Sequence, residues 1–264
     1  VSQAGNINAI TASLNNQAGV MQALGQINIS GMAGANLNIE NAAGKMIASE
    51  IAMSTVTDLI GTGSPAVALV STGALSSSAL APSLNLHGGL ISASKTVDLS
   101  AEGGKVTVDV DRIDGQVGLS GCDAEVHVQN GDLSLSYANL TGDPVVTAAN
   151  ASVNLNNSSA LFNTGGTEFV VLAGQSINFT GTGTINTSAS SGTGGRVVLG
   201  AGVSFDGSNN ITGSSGLGGD VNAAGLSLQT GGGSVTVRAD AGTGANAAVG
   251  GSIKLAEINT SGLS

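Results

Sequence analysis

The chain has 264 residues, 42 of them glycine, and only 9% are charged, against a globular norm of about 25%. With no tryptophan, five other aromatic residues and a net charge of −10, it lacks the material for a conventional ring-filled core. Its surface is expected to repel nucleic-acid phosphates and anionic headgroups. An apolar content of 41% separates it from disordered chains, which combine low hydrophobicity with high charge.

Val1 begins neither a charged leader nor a hydrophobic signal core, so the chain is expected to be a mature or internal piece. No apolar run approaches the roughly 18 residues of a spanning helix, and no membrane insertion is expected. The single Cys122 cannot form an internal disulfide, which leaves hydrogen bonding and packing to hold the fold.

Taken in chain order, the commonest pattern is a short stripe of aliphatic residues alternating with polar ones and closed by Gly, Asn, Asp or Ser. It opens with Ile27/Ile29 and Leu37/Ile39. Residues 42–82 fit it less well. Met46, Ile47, Ile51, Val56, Leu59 and Ile60 can be read with a helical period, so irregular coils or a short insertion are expected there. The stripes return at Leu84/Leu86, Val97/Leu99, Val106/Val108/Val110, Val117/Leu119, Val126/Val128, Leu133/Leu135, Val153/Leu155, Ile177/Phe179, Val197/Leu199, Leu226/Leu228, Val235/Val237 and Ile253/Leu255. A period of two means strands with one buried face.

Taking every second stripe, at 97, 117, 133, 153, 177 and 197, gives steps of 16 to 24 residues, which suggests a repeating coil of roughly 20. A β-sandwich has similar strand spacing, but its hairpins favour Asn-Gly or Asp-Gly turns and its core favours aromatics. Asp114-Gly115, Asn130-Gly131 and Asp206-Gly207 occur, yet most turns are Gly-Gly, Gly-Thr-Gly or Ser-Gly clusters. The expected fold is therefore all-β: one right-handed parallel β-helix (β-solenoid) over residues 1–264. Its coils lie about 4.8 Å apart around an interior of small aliphatic side chains where large rings fit poorly.

Candidate chemistry is sparse. Eight acidic residues (Asp98, Glu102, Asp109, Asp111, Asp114, Asp123, Glu125, Asp132) fall within 98–132. If Val106, Val108 and Val110 point inward, Lys105, Thr107, Asp109 and Asp111 point outward. That predicts a solvated face with Lys95, Lys105 and Arg112 as counter-charges. Asp109, Asp111 and Asp114 are its weak candidates for a cation site, but Ile113 stands where an EF-hand loop needs an oxygen ligand. Gly218-Gly219-Asp220 is an isolated fragment of a calcium-binding repeat.

The two histidines, His87 and His127, have no Gly-x-Ser-x-Gly elbow or zinc spacing around them. His127, near Glu125 and five residues after Cys122, can be drawn as a Cys/His pair, but an exposed strand histidine needs no such role. Gly44-Lys45 and Gly104-Lys105 lack the rest of a phosphate-binding loop. Asp109, Asp111, Arg112 and Asp114 imitate the face of a polysaccharide lyase without its aromatic groove. No catalytic residue, cofactor or metal is expected.

From Gly165 the chain reads Gly-Gly-Thr-Glu-Phe-Val-Val-Leu-Ala-Gly, followed by Ile177-Asn-Phe179 and Gly183-Thr-Ile-Asn-Thr-Ser188. Further on come Thr193-Gly-Gly-Arg-Val-Val-Leu-Gly-Ala-Gly202, Gly232-Gly-Ser-Val-Thr-Val-Arg-Ala239 and Gly250-Gly-Ser-Ile-Lys-Leu255. Over about 100 residues this resembles the β-helix repeats of filamentous-haemagglutinin-like proteins, which are large bacterial surface or secreted adhesins. The resemblance implies an extracellular or cell-surface location and a non-catalytic structural or adhesive stalk. The implied partners are flanking repeats of the same protein, end-to-end copies of itself, or host and neighbouring-cell glycans or proteins. A self-assembling filament or sheath subunit and a carbohydrate-active β-helix are the alternatives. It implies no site residue.

Overall fold

The structure is a computed structural model and describes residues 5–11, 13–30, 38–40, 45–48, 50–54, 83–87, 90–155, 161–164 and 166–262. It is all-β with parallel-strand sheets; among the described residues the sole helical element is a 3-10 turn, Gly244–Asn246. The chain forms two compact units, Val1–Val126 and His127–Ser264.

In the first unit, Ile7–Ile10, Gln26–Ser30 and Glu50–Ser54 form a parallel sheet with Ile27 between Ile7 and Ile51. Ser13–Asn15 lies beside Asn38–Glu40, which lies beside Ser83–His87, which in turn pairs with residues 105–109. Val20–Gln22 pairs with Lys45–Ala48, and that strand with residues 90–93. The chain thus visits three parallel columns in rotation. Ile27, Ile29, Val106, Val108 and Val110 are buried, as alternation requires of strands with one apolar face. Within the stretch expected to hold irregular coils or a short insertion, 45–48 and 50–54 are strands and not the helix their apolar spacing also allowed, because pairing with residues 20–22 and 26–30 overrides a weak local preference. The remainder of the 42–82 irregularity lies outside the described residues.

The second unit repeats the rotation with clear register. One column stacks Leu133, Val153, Ile177, Val221 and Ile253 in turn. A second stacks Leu161–Asn163 on Gly183–Asn186, then on residues 226–229 and 257–259. The third stacks Val145–Ala148, Phe169–Ala173, Val197–Ala201 and Val235–Ala239. Inward positions are completely buried at Val153, Ile177, Val171, Leu199, Ile185 and Val221. Ala148, Ala173, Ala201 and Ala239 share one register position.

Two expectations need correction here. The spacing is not uniform at roughly 20 residues: partners in the first column are 20 residues apart at Asp132/Ser152, then 24 at Asn154/Asn178, 44 at Asn178/Asn222 and 32 at Asp220/Ser252. Val197, counted as the step after Ile177, belongs instead to the third column. An identical alternation in every column cannot tell one column from the next. Rings also fit the interior better than expected, since among the described residues Phe169 is the largest fully buried side chain and Phe179 is buried too. Phe169 stacks against Val197 and Phe179 against Leu155, and such mixed-size neighbours leave space for a ring.

The corners explain the glycine content. A Cβ on Gly174 would overlap the carbonyl oxygen of Ala149, and one on Gly195 that of Thr167. Beside these corners, three buried threonines donate to nearby carbonyls: Thr164 Oγ1 to Thr167 at 2.8 Å, Thr187 Oγ1 to Gly195 at 2.7 Å and Thr230 Oγ1 to Gly233 at 2.6 Å. Each buried hydroxyl thereby finds an acceptor, which is the condition for burying it. Thr164 and Thr230 each open a Thr-Gly-Gly triplet, and there the triplet serves the architecture.

Candidate functional site

Strand alternation between Val106, Val108 and Val110 leaves Asp109 and Asp111 exposed, with Asp114 partly so. Asp114 Oδ1 accepts from Arg112 Nε at 2.6 Å. Lys105 Nζ lies 2.6 Å from Glu125 Oε2 and 3.8 Å from Asp123 Oδ2. In the second unit, Asp132 Oδ1 accepts from the Ser152 amide at 3.0 Å. The side chains of Lys95, Asp98 and Glu102 lie outside the description. Among the described residues no group of three or more His, Cys, Asp or Glu side chains converges as a metal site would require. Asp109 and Asp111 face solvent, and Asp114 pairs with Arg112 two residues before it.

His127 Nδ1 is 2.8 Å from Thr147 Oγ1, one repeat away, and Cys122 is exposed. Thr147 is buried, so this bond satisfies a polar group that would otherwise be desolvated. His87 ends the strand Ser83–His87 and pairs by backbone register with Asp109; its side chain is outside the description.

What the outer faces of the second unit do carry is a set of side-chain ladders. Asn154 Nδ2 donates to Ser134 Oγ at 3.4 Å, Asn178 Nδ2 to Asn154 Oδ1 at 2.9 Å, and Asn222 Nδ2 to Asn178 Oδ1 at 3.1 Å. An amide suits this position because it donates to one neighbour and accepts from the other at the spacing of stacked strands. Glu168 and Arg196 form a two-pronged pair one repeat apart, with Nη2–Oε1 at 2.9 Å. The carboxylate's hydrogen bond holds the guanidinium pKa above its ordinary value. Arg238 is held up in the same way by Asp240, with bonds of 2.6 and 2.8 Å.

One element went unforeseen. Val203–Phe205 and Ile211–Ser214 form an antiparallel hairpin whose apolar face packs on the outer side of the third column. Val203 is buried with Val170 and Leu172, and Phe205, Ile211, Val145 and Val198 pack around them. Gly200 makes the space: a Cβ there would stand 3.0 Å from Leu172 Cδ2, 3.0 Å from Val203 Cγ2 and 3.1 Å from Ile211 Cδ1. Asp206 closes the turn, accepting from the amides of Asn210 and Ser208 at 2.9 Å each. The Asn210 amide is the main reason that its carboxyl titrates below the ordinary range. The signal in the sequence was Asp206-Gly207, a hairpin dipeptide outnumbered by the glycine-cluster turns. Between the third column's strand ending at Ala201 and the first column's strand beginning at Val221, a Cβ on Gly202 would lie 2.7 Å from the Gly219 nitrogen. The excursion therefore departs and returns at nearly one point.

No family profile, curated protein or solved structure matches this chain.

Proposed function

We propose that the columns close into a right-handed β-solenoid that serves as a non-catalytic structural or adhesive stalk segment of a large bacterial extracellular protein, resembling the filamentous-haemagglutinin-like repeats. The observation that carries this reading is the fixed rotation through three parallel columns within each unit. A chain that always advances to the next column and then returns to the first, one strand spacing on, is most simply wound around an axis. Parallel crossovers are right-handed in nearly all proteins, which sets the proposed hand. Outward amide ladders and paired surface charges support a structural role, because they stiffen stacked strands without converging on a point.

Binding screens on bacterial and host glycans, run with turnover assays on uronate polymers, test the function. The stalk reading expects no turnover. Cleavage that disappears in Asp109→Asn and Asp111→Asn would replace it with the carbohydrate-active alternative. An experimental density map fixes the hand, and a left-handed winding would overturn that part of the proposal.

A further inference from the structure

The ladder amides Asn154 and Asn178 each donate and accept within a strand, and Leu155 and Phe179 follow them in the chain. Asn130 is placed differently. It is exposed in the turn between Val128 and Leu133, outside any strand, and of all the asparagines in the sequence it alone precedes a glycine. Gly131 has a φ of 83°, a conformation in which a Cβ is strained. Among the described residues no hydrogen bond engages the Gly131 amide. One repeat on, Asn150 Nδ2 donates to Asn130 Oδ1 at 3.2 Å.

The amide nitrogen that follows an asparagine reaches the side-chain carbonyl carbon by closing a five-membered ring. Such an intramolecular arrangement competes far better than any dissolved nucleophile. Glycine leaves that nitrogen uncrowded, and solvent reaches both partners at an exposed turn.

We propose that Asn130-Gly131 is a self-modification site, where the chain converts its own asparagine to aspartate with water as the sole co-reactant. The Gly131 nitrogen sheds its proton and bonds to Asn130 Cγ. The Cγ–Nδ2 bond breaks, and Nδ2 takes up a proton and leaves as ammonia. Water then opens the cyclic imide without any change of oxidation state. Breaking the new bond from Cγ to the Gly131 nitrogen leaves aspartate at 130, whereas breaking the bond from the main-chain carbonyl leaves an isoaspartyl linkage.

The surrounding turn distinguishes these two products. In the aspartate form the main chain is unchanged, and the new carboxylate keeps the bond from Asn150 Nδ2 with charge to assist it. In the isoaspartyl form the main chain is longer by one methylene between two anchors. Gln129 O accepts from the Asn150 amide at 3.1 Å, and Asp132 Oδ1 accepts from the Ser152 amide at 3.0 Å. The neighbouring turn fixes the separation of these anchors, so the longer linkage strains them.

Peptide mapping by mass spectrometry of the folded 264-residue chain, aged in mildly alkaline buffer, tests the proposal, with released ammonia as a second readout. Conversion at Asn130 is expected to outrun that at every other asparagine by about tenfold or more. Gly131→Ala, which crowds the attacking nitrogen, should slow it by about tenfold. Asn130→Gln, whose ring needs a sixth member, should release no ammonia at that position on the same timescale. Far-UV circular dichroism checks the fold, and Asn130→Gln carries the comparison if the alanine disrupts the turn. Asn130→Asp, the authentic product, should unfold in urea at a midpoint no lower than the unaltered chain, and the purified isoaspartyl form at a lower one. The proposal is overturned by conversion at Asn130 no faster than elsewhere, by a rate that Gly131→Ala leaves unmoved with an unchanged β spectrum, or by an isoaspartyl form as stable as the aspartate form.

Discussion

Gly200→Val tests whether the hairpin 203–214 is seated by the absence of a side chain beneath it. The bare Cβ would already stand 3.0 to 3.1 Å from Leu172, Val203 and Ile211, and the two γ-carbons of valine reach further into the same space. Overpacking of this kind costs about 1–3 kcal/mol, while replacing glycine in a strand recovers up to about 1 kcal/mol of β preference. The net expectation is a loss of about 1–2 kcal/mol. In a chain with residues 203–218 excised and Gly202 joined to Gly219, Val203 and Ile211 are gone and only the tip of Leu172 must give way, so the same substitution should be neutral or stabilise by up to about 1 kcal/mol. Urea unfolding followed by far-UV circular dichroism, run on all four chains, gives the coupling as the difference between backgrounds, expected near 2 kcal/mol. Equal effects of Gly200→Val in both backgrounds, within about 0.5 kcal/mol, would show that the hairpin does not rest on this position.

Removing the middle rung of the amide ladder with Asn178→Ala deletes one bond to Asn154 and one from Asn222. At about 0.5–1.5 kcal/mol per bond the loss should be roughly 1–3 kcal/mol in urea unfolding, and a change below about 0.5 kcal/mol would demote the ladder to decoration. Ala18 adopts a left-handed φ of 53°, which penalises its Cβ. Ala18→Gly should therefore raise stability by up to about 1 kcal/mol, read as a higher denaturant midpoint. Because the folded Asp206 carboxyl titrates below its ordinary range, its contribution is fully present above about pH 4 and fades as pH falls through the depressed value. The protection factors of the Ser208 and Asn210 amides, taken relative to intrinsic exchange at each pH, should fall on acidification, and Asp206→Ala should remove that fall.

Strand positions were legible because period-two alternation is a local property. Val106, Val108 and Val110 went inward and Asp109 outward as expected, and the stacking of Leu133, Val153 and Ile177 follows from their spacing. The allocation of strands to columns was not legible. Val203-Ser-Phe205 offers the same apolar-polar-apolar stripe as Ile177-Asn-Phe179, yet Val221 takes the place beside Ile177. Nothing local distinguishes these candidates; the choice depends on Gly200 opening space outside the column and on the Asp206 turn folding the chain back. At the candidate site, like-with-unlike charge neighbours were readable from Arg112 and Asp114, two positions apart on one strand face. The Glu168–Arg196 pair joins residues 28 apart, and only knowledge of the column register could have brought them together.

The meeting of Gly202 and Gly219 also bears on how such a chain can vary. Closing a longer excursion at a fixed gate costs only about 0.6 kcal/mol for each doubling of its length, while the strands on either side keep their bonds to the neighbours above and below. The fold counts strands and is nearly indifferent to residues spent between them. This gate is consequently the position to graft a foreign epitope or reporter peptide and expect the scaffold beneath it to hold.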